Sequence, residues 1–579
     1  MAGQSKRADH ERRLQQLQAL RTPYESLWQA CDEYIAPGRL RLHDDRNKLF
    51  KDKHKNIINE SLLIAWRVFA AGMYSGMCSP SRPWFKGQAI DPDLRNDEQV
   101  KDYYHTATTR MRDILQGSNV YNSQHAGFGD LGQFGQSCKL LVGDFERVIR
   151  SIHLITGQYW IAQNVNQQVD TCYRRHPMTA EQVVKRFVYR GDKNNKPNWS
   201  IVSPTIRTLY DKNPDADIPV FHAIEPRKGR DVNSAMKNQK PFTSNYWEQG
   251  GPRDVMLEES GFDYNPIVCD RWDTIGNDVY GSNHPGEIAL GSSRQLQQEE
   301  MWKGIGIERI VDGPLQAPTA LQNFGVDTMP GGITFADVTG GGAQGGIRPI
   351  YDVRMDLDHL NNDIDRVENR GARIFYNDII MAISQMEGVQ PKNVFELTAR
   401  KEEQMQQFGP VIERQQFENL NRVVDITYAI CAQRGMFPPL PKELEGQRML
   451  IDHISVMAQA QKAISVGSIE RSVSFAGNLA AIKPDIMDNF DLDKAVLEYS
   501  DSVGAPPSII VSEDKVAQAR AKRAQQQQQV DQANMAATMA PAAAQGAQAA
   551  KLLAETGQLT GNSKLPPSNE ILSKLGIAG

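Results

Sequence analysis

The chain has 579 residues but only six cysteines, Cys31, Cys78, Cys138, Cys172, Cys269 and Cys431, with no two at CxxC spacing. That scatter suggests neither a disulfide framework nor a cysteine zinc site, and reads as buried free thiols. No stretch approaches the roughly 18 to 20 apolar residues of a membrane span, and mean hydropathy is −0.51, so a soluble chain with no membrane partner is expected. The start, "MAGQSKRADHERRLQQLQAL", is charged and has no apolar h-region or small-residue cleavage site. The expectation is a chain that is not secreted. Positive charge is not in excess either: 65 Lys and Arg stand against 70 Asp and Glu, giving a net charge of −5. A strongly basic nucleic-acid footprint is thereby excluded, and any contact with DNA must be local or weak.

The motifs of catalysis are also missing. There is no HExxH, no GxSxG and no acidic pair placed for general acid–base work. The Gly-rich "GGGAQGG" (340–346) is followed by Ile347, Arg348 and Pro349 instead of Gly-Lys-Ser/Thr opening a helix, so it reads as a β-turn and not a phosphate loop. "DKNPDAD" (211–217) offers alternating oxygen ligands like a calcium loop, but has Ala216 at position six and His222 at position twelve. It reads as a polar hairpin turn. Asp356, Asp358 and His359 are neighbours in sequence, but a helix turns the two carboxylates about 200° apart, so they read as surface. No enzyme, no metal and no cofactor is expected.

At this length, beyond what one core usually fills, several domains are expected. Residues 8–36 place Leu14, Leu17, Leu20, Leu27, Trp28 and Ile35 at helical intervals, and "TP" at 22–23 predicts two helical segments. Residues 57–78, "IINESLLIAWRVFAAGMYSGMC", are apolar almost all round and predict a buried helix. Between about 150 and 275, short alternating runs such as "IPVFHAI" predict strands. A helix is expected over 287–311 despite Gly291, Gly304 and Gly306, then a non-helical Gly- and Pro-rich segment over 313–350. From 355 to 383, Leu357, Leu360, Ile364, Val367 and Ile374 recur at heptad-like spacing, one narrow stripe for one partner. The Ala- and Gln-rich tail from about 505 predicts a helix over 513–537 and a loosely specified end.

Several segments in this order resemble those of the head-to-tail connector, or portal, proteins of short-tailed bacteriophages. They are "LRTPYESLWQACDEYIAPGR" (20–39), "INESLLIAWRVFAAGMYSGMCSPSRPWF" (58–85), "GSNVYNSQHAGFGDLGQFG" (117–135), "FHAIEPR" (221–227), "PIVCDRWDTIGNDVYGSNHPGEIAL" (266–290) and "LTARKEEQMQQFGPVIERQQFENLNRVVDITYAICAQRGMFPPLP" (397–441). The ordered set is specific, and it covers about residues 10–525. The chain departs from the pattern at Arg400 and Lys401, where a small polar residue and Glu are expected, and at Gly286-Glu287-Ile288, where a more apolar run is usual.

The resemblance implies an α+β portal fold: an α/β wing, a two-helix stem, a small β-containing clip and an α-helical crown. It implies an N-terminal wing over 1–283, stem helices over 284–312 and 353–384 around a clip at 313–352, and a tunnel loop at 385–396. A C-terminal wing over 397–504 with a long helix and a crown at 505–579 complete it. Twelve copies would form a ring at one capsid vertex, a conduit for double-stranded DNA in packaging and ejection. Its partners would be the terminase large subunit, then a tail adaptor protein, with the major capsid protein and scaffold around it. On this reading Gln390, Lys392 and Asn393 face DNA, Gly409 and Pro410 kink the long helix, and Leu357, Leu360, Ile364 and Val367 face neighbouring stems. Lys515, Arg520, Lys522 and Arg523 form a basic crown face, read as a solvated helix face or as a contact to packaged DNA. The second reading is another virion component, a head–tail adaptor or an internal core protein.

Overall fold

The computed structural model describes residues 6–42, 55–95, 97–190, 196–234, 236–251, 255–312, 314–316, 322, 327, 348–349, 357–385, 408–455 and 457, and parts of 472–530. The chain divides into two compact units, Met1–Gly504 and Ala505–Gly579. In the second unit the described residues form a helix over 518–530.

The first unit opens with α1 (Lys6–Tyr34), one helix where "TP" predicted two. Pro23 lies inside it, but the helix is held from outside. The Arg21 guanidinium donates to the carbonyls of Gly157 (2.6 Å) and Tyr159 (3.0 Å), pairs with Glu25 at 2.7 Å and stacks on the Trp160 ring at 4.5 Å. Leu14 and Leu17 bury against Trp160, Tyr173, Phe221 and Trp247. These contacts outweigh the few kcal/mol, about 3, that an interior proline costs.

The next helix, α2 (Ser61–Cys78), is by length and composition apolar enough to cross a membrane, contrary to the reading that no run approaches that size. Its burial explains the composition: Leu62, Ala65, Phe69, Met73 and Met77 sit in the largest core cluster among the described residues. There they meet α3 (Glu98–Gly117) through Met111 and Leu115, and α4 (Val120–Phe134) through Phe128 and Leu131.

Strands follow, as the alternating runs predict, and all pair antiparallel. β2 (Gln136–Asp144) lies between β3 (Val148–Leu154) and β9 (Ile267–Arg271). A five-stranded sheet runs in chain order through β4 (Tyr159–Gln163), β5 (Val169–Thr179), β6 (Asp217–Ile224), β7 (Phe242–Glu248) and β8 (Glu258–Phe262). A helix, α5 (Pro204–Lys212), precedes β6, so "DKNPDAD" is a helix-to-strand turn and not a hairpin. Its Ser203 hydroxyl caps the first turn and Pro204 occupies the position where a proline costs nothing. Far apart in sequence, β1 (Phe85–Ala89) pairs with β12 (Met449–His453).

The long insertion begins with α6 (Pro285–Val311). Of the Gly- and Pro-rich segment, the described residues give one short antiparallel pair, β10 (Leu315–Gln316) with β11 (Arg348–Pro349); "GGGAQGG" and Asp356 lie outside the described residues. Asp358 and His359 are exposed. The heptad stretch is two helices, α7 (Leu357–Ile374) and α8 (Asn377–Gln385). They part at Tyr376, whose φ of +56° is left-handed and cannot continue a helix. The chain re-enters as a helix over 408–415, passes through a π-helical turn (Gln416–Leu420) and ends in α9 (Asn421–Gln433).

Candidate functional site

The root of α6 is fixed by a cap of an uncommon type. His284, fully buried, accepts a hydrogen bond at Nδ1 from the Glu287 N–H at 3.2 Å, and Pro285 takes the first helical position. The adjoining backbone is packed tightly: a Cβ on Gly281 would sit 1.9 Å from the Gly135 carbonyl oxygen. Gly135 itself ends α4 at φ +76°. Burial pushes the His284 imidazole down to about 3, so the cap works as a neutral acceptor, and protonation removes both the acceptor and its fit to the positive end of the helix. Because the folded value lies below the unfolded one, this stability is complete above about pH 6.5 and is lost as pH falls toward 3, by up to about 5 kcal/mol. We expect His284→Asn, which caps without titrating, to flatten the acid side of the stability profile. Thermal unfolding of both proteins between pH 7 and 4.5 measures this; equal acid slopes would refute it.

Beyond the cap, α6 divides into two halves of different character. Its N-terminal half is buried at Ala289, Ser293, Leu296 and Gln297. Ser293 donates to the Tyr34 carbonyl, and Gln297 binds the backbone of Ile58 and Asn59. Asn59 in turn donates to Glu300 of α6 and Glu368 of α7, tying the two helices together. From Met301 to Val311, in contrast, no residue is buried, although six of them are large and apolar: Met301, Trp302, Ile305, Ile307, Ile310 and Val311. At about 100° per residue, Met301, Trp302 and Ile305 share one side of the helix, and Ile307, Ile310 and Val311 the roughly opposite one. The second group continues the side that Ala289 and Leu296 bury lower down. Among the described residues, neither group is covered.

The α7 stripe corrects a sequence expectation. Ile364 and Val367, read as facing neighbouring copies, are 4% and 2% exposed within this chain. They belong to the same cluster as Leu62 and Phe69, and Leu360 packs on its edge. Gly371 lets Leu62 approach to where its own Cβ would stand, 3.0 Å away. A narrow stripe demands a partner but does not say whose, and here it is buried within the same chain, against a core to which α2, itself apolar nearly all round, contributes. The side chain of Leu357 lies outside the described residues.

The long helix is held by residues that the sequence reading did not single out. Arg271, at the end of β9, donates to Glu418 Oε1 (2.7 Å), Gln163 Oε1 (2.7 Å) and the Gln167 carbonyl (2.7 Å), and its backbone N–H also reaches Glu418. Gln415 donates to the Arg271 carbonyl at 3.1 Å. The π-helical turn is thereby clamped to both sheets. Deeper, Lys139 and Asp270 are fully buried with Nζ and Oδ1 3.8 Å apart, and Lys139 donates to Gln124, which is paired with Asn419 of the turn. Burial pushes the Asp270 carboxyl up to about 6 and the Lys139 ammonium down. One signal was readable: a lone Lys within "QSCKLLV" must find a partner if that strand is central.

The remaining candidates separate by what can be placed. Gly409 and Pro410 fall in the first turn of the described part of the long helix, and the residues before Phe408 lie outside it. Gln390, Lys392, Asn393 and Lys515 also lie outside the described residues. Arg520, Lys522 and Arg523 are exposed on the helix over 518–530. All six cysteines are buried and free.

Comparison with known proteins gives the family. A family profile described as "Bacteriophage head to tail connecting protein" matches residues 7–511. The "Portal protein" of Salmonella phage epsilon15 is 36% identical over 522 residues, 89% of this chain and 91% of that protein. The "Probable portal protein" of Bordetella phage BPP-1 is 35% identical over 526 residues, 90% and 92% of the two chains. A solved structure titled "Neck of empty GTA particle computed with C6 symmetry" aligns over 75% of this chain and 91% of that one, at 9% identity and a TM-score of 0.32, values at which nothing of function transfers. Two relatives above 30% identity, matched almost end to end, join with the profile in one conclusion. The chain belongs to the bacteriophage head-to-tail connecting family and is a portal protein of the capsid vertex.

Proposed function

We propose that twelve copies close into a ring whose channel passes double-stranded DNA inward during packaging and outward during ejection. The work is mechanical and has no catalytic residue. The terminase large subunit docks first and a tail adaptor protein later, while scaffold and major capsid protein surround the ring during assembly in the host cytoplasm. The observation that best supports a ring is the upper half of α6. In a closed ring each subunit meets its two neighbours through different surfaces, so an element at the contact needs an apolar group on each of two sides. Met301, Trp302 and Ile305 on one side, and Ile307, Ile310 and Val311 on the other, have that distribution. This moves the contact between stems from the α7 stripe to α6.

The charge balance suits a conduit. Each phosphate neutralised by Lys or Arg adds salt-dependent grip, and a net charge of −5 keeps such contacts few. Gln390, Lys392 and Asn393 remain the proposed DNA-facing residues of the tunnel loop, one cation among two neutral amides. The test is electron microscopy of the purified chain, viewed down the particle axis. A closed ring of twelve with an open channel wide enough for duplex DNA is expected. A monomer, or a ring closed at its centre even after assembly with scaffold and capsid protein, would overturn the reading.

A further inference from the structure

Cys138, Cys172 and Cys269 are buried in one core cluster of the subunit. Cys138 of β2 stands directly opposite Cys269 of β9, and Cys172 lies on β5. The ladder decides what kind of pair this is. The Leu141 N–H donates to the Pro266 carbonyl and the Trp272 N–H to the Gly135 carbonyl, so the hydrogen-bonded pairs between them fall at 137/270 and 139/268. Cys138 and Cys269 are thus a non-hydrogen-bonded pair, where antiparallel strands bring Cα atoms to about 4.5 Å and side chains closest. That separation lies at the short end of the range, about 4.4 to 6.8 Å, that a disulfide spans.

We propose that Cys138 and Cys269 form a staple that oxidation closes. With a low-molecular-weight disulfide as oxidant, the Cys138 thiolate attacks one of its sulfurs and expels a small thiolate. The Cys269 thiolate then attacks the Cys138 sulfur and expels the second. The two protein thiols become one disulfide, the small disulfide becomes two thiols, and the two protons pass to them. β9 is the edge strand of its sheet and carries Arg271 onto Glu418 of the π-helical turn, so the staple would pin that turn to the centre of the sheet. In the closed structure the thiols are inert. All three are buried, and burial raises the Cys138 thiol well above the ordinary range. Closure therefore follows local opening of the β9 edge. Its timing, reduced during assembly in a cytoplasm and oxidised in the released particle, rests on the proposed function; the chemistry does not.

The test uses the reduced full-length chain, oxidised glutathione as the oxidant, and urea below the first unfolding transition to open the edge. Alkylation and peptide mapping by mass spectrometry follow. We expect free thiols to fall from six to four, with Cys138 linked to Cys269, slowly in buffer and at least tenfold faster in urea. Cys172→Ser should form the same bond, its free thiols falling from five to three. Six thiols still free in urea, or a dominant bond involving Cys31, Cys78, Cys431, Cys172 or a second chain, would overturn the proposal. Microscopy of the reduced chain reports on the ring separately, so failure of one reading leaves the other standing.

Discussion

A chain carrying Trp302→Glu and Ile305→Glu should fold normally and fail to close a ring. Burying a large apolar side chain contributes roughly 1.5 to 3 kcal/mol, and here a charge would also be forced into each contact without a partner. Over two side chains that weakens each subunit contact by more than about a thousandfold, since each 1.4 kcal/mol is a factor of ten. Because these side chains are exposed in the isolated subunit, its melting temperature should stay within about 2 °C of the unaltered chain, as surface substitutions usually change stability by under about 0.5 kcal/mol. Glu308→Gln, an exposed polar change on the same half-helix, should assemble normally. Analytical ultracentrifugation separates ring from monomer. A full yield of rings from the double variant would remove α6 as the contact.

Arg271→Met should destabilise the subunit by roughly 3 to 5 kcal/mol, the usual cost of stripping the partner from a buried ion pair. Glu418 would be left with a half-satisfied carboxylate, and the Gln163 side chain and the Gln167 carbonyl would each lose a donor. The double variant Arg271→Met/Glu418→Met should recover part of the loss, because no unpaired charge remains. A chain of this size need not unfold in two states, so the midpoint of the first urea transition is the quantity to compare. If the double variant is no more stable than Arg271→Met, the pair is not the source of the effect.

Particular residues show how much of this was legible in the sequence. The buried character of Ser61–Cys78, the strands between about 150 and 275 and the α6 helix were readable because periodicity and composition act locally. Pro23 misled for the opposite reason: its cost is local, but the carbonyls and ring that hold Arg21 come from β4 and the turn before it. Tyr376 parts the two helices just after Ile374, the last of the heptad-spaced residues, and no residue there announces a left-handed turn. For the stripe at Ile364 and Val367, the sequence states the apolarity but not whether its partner belongs to the same chain. Among the described residues, the clearest functional signal was the most visible one. The isoleucines, methionine and tryptophan of residues 301–311 fill both sides of a helix, and their significance appears once the body is seen to cover neither.

The two-sided apolar end of α6 also has a genetic consequence. In the proposed ring every subunit presents one side to the copy before it and the other to the copy after, so a subunit damaged on one side alone should still dock by the other. Such a copy joins a growing arc and then stops it, so it acts as a chain terminator and not as an absent part. In a cell making both forms, a minority of damaged copies would suppress assembly out of proportion to their number, and infections mixed for the two alleles would show dominance of the defective one.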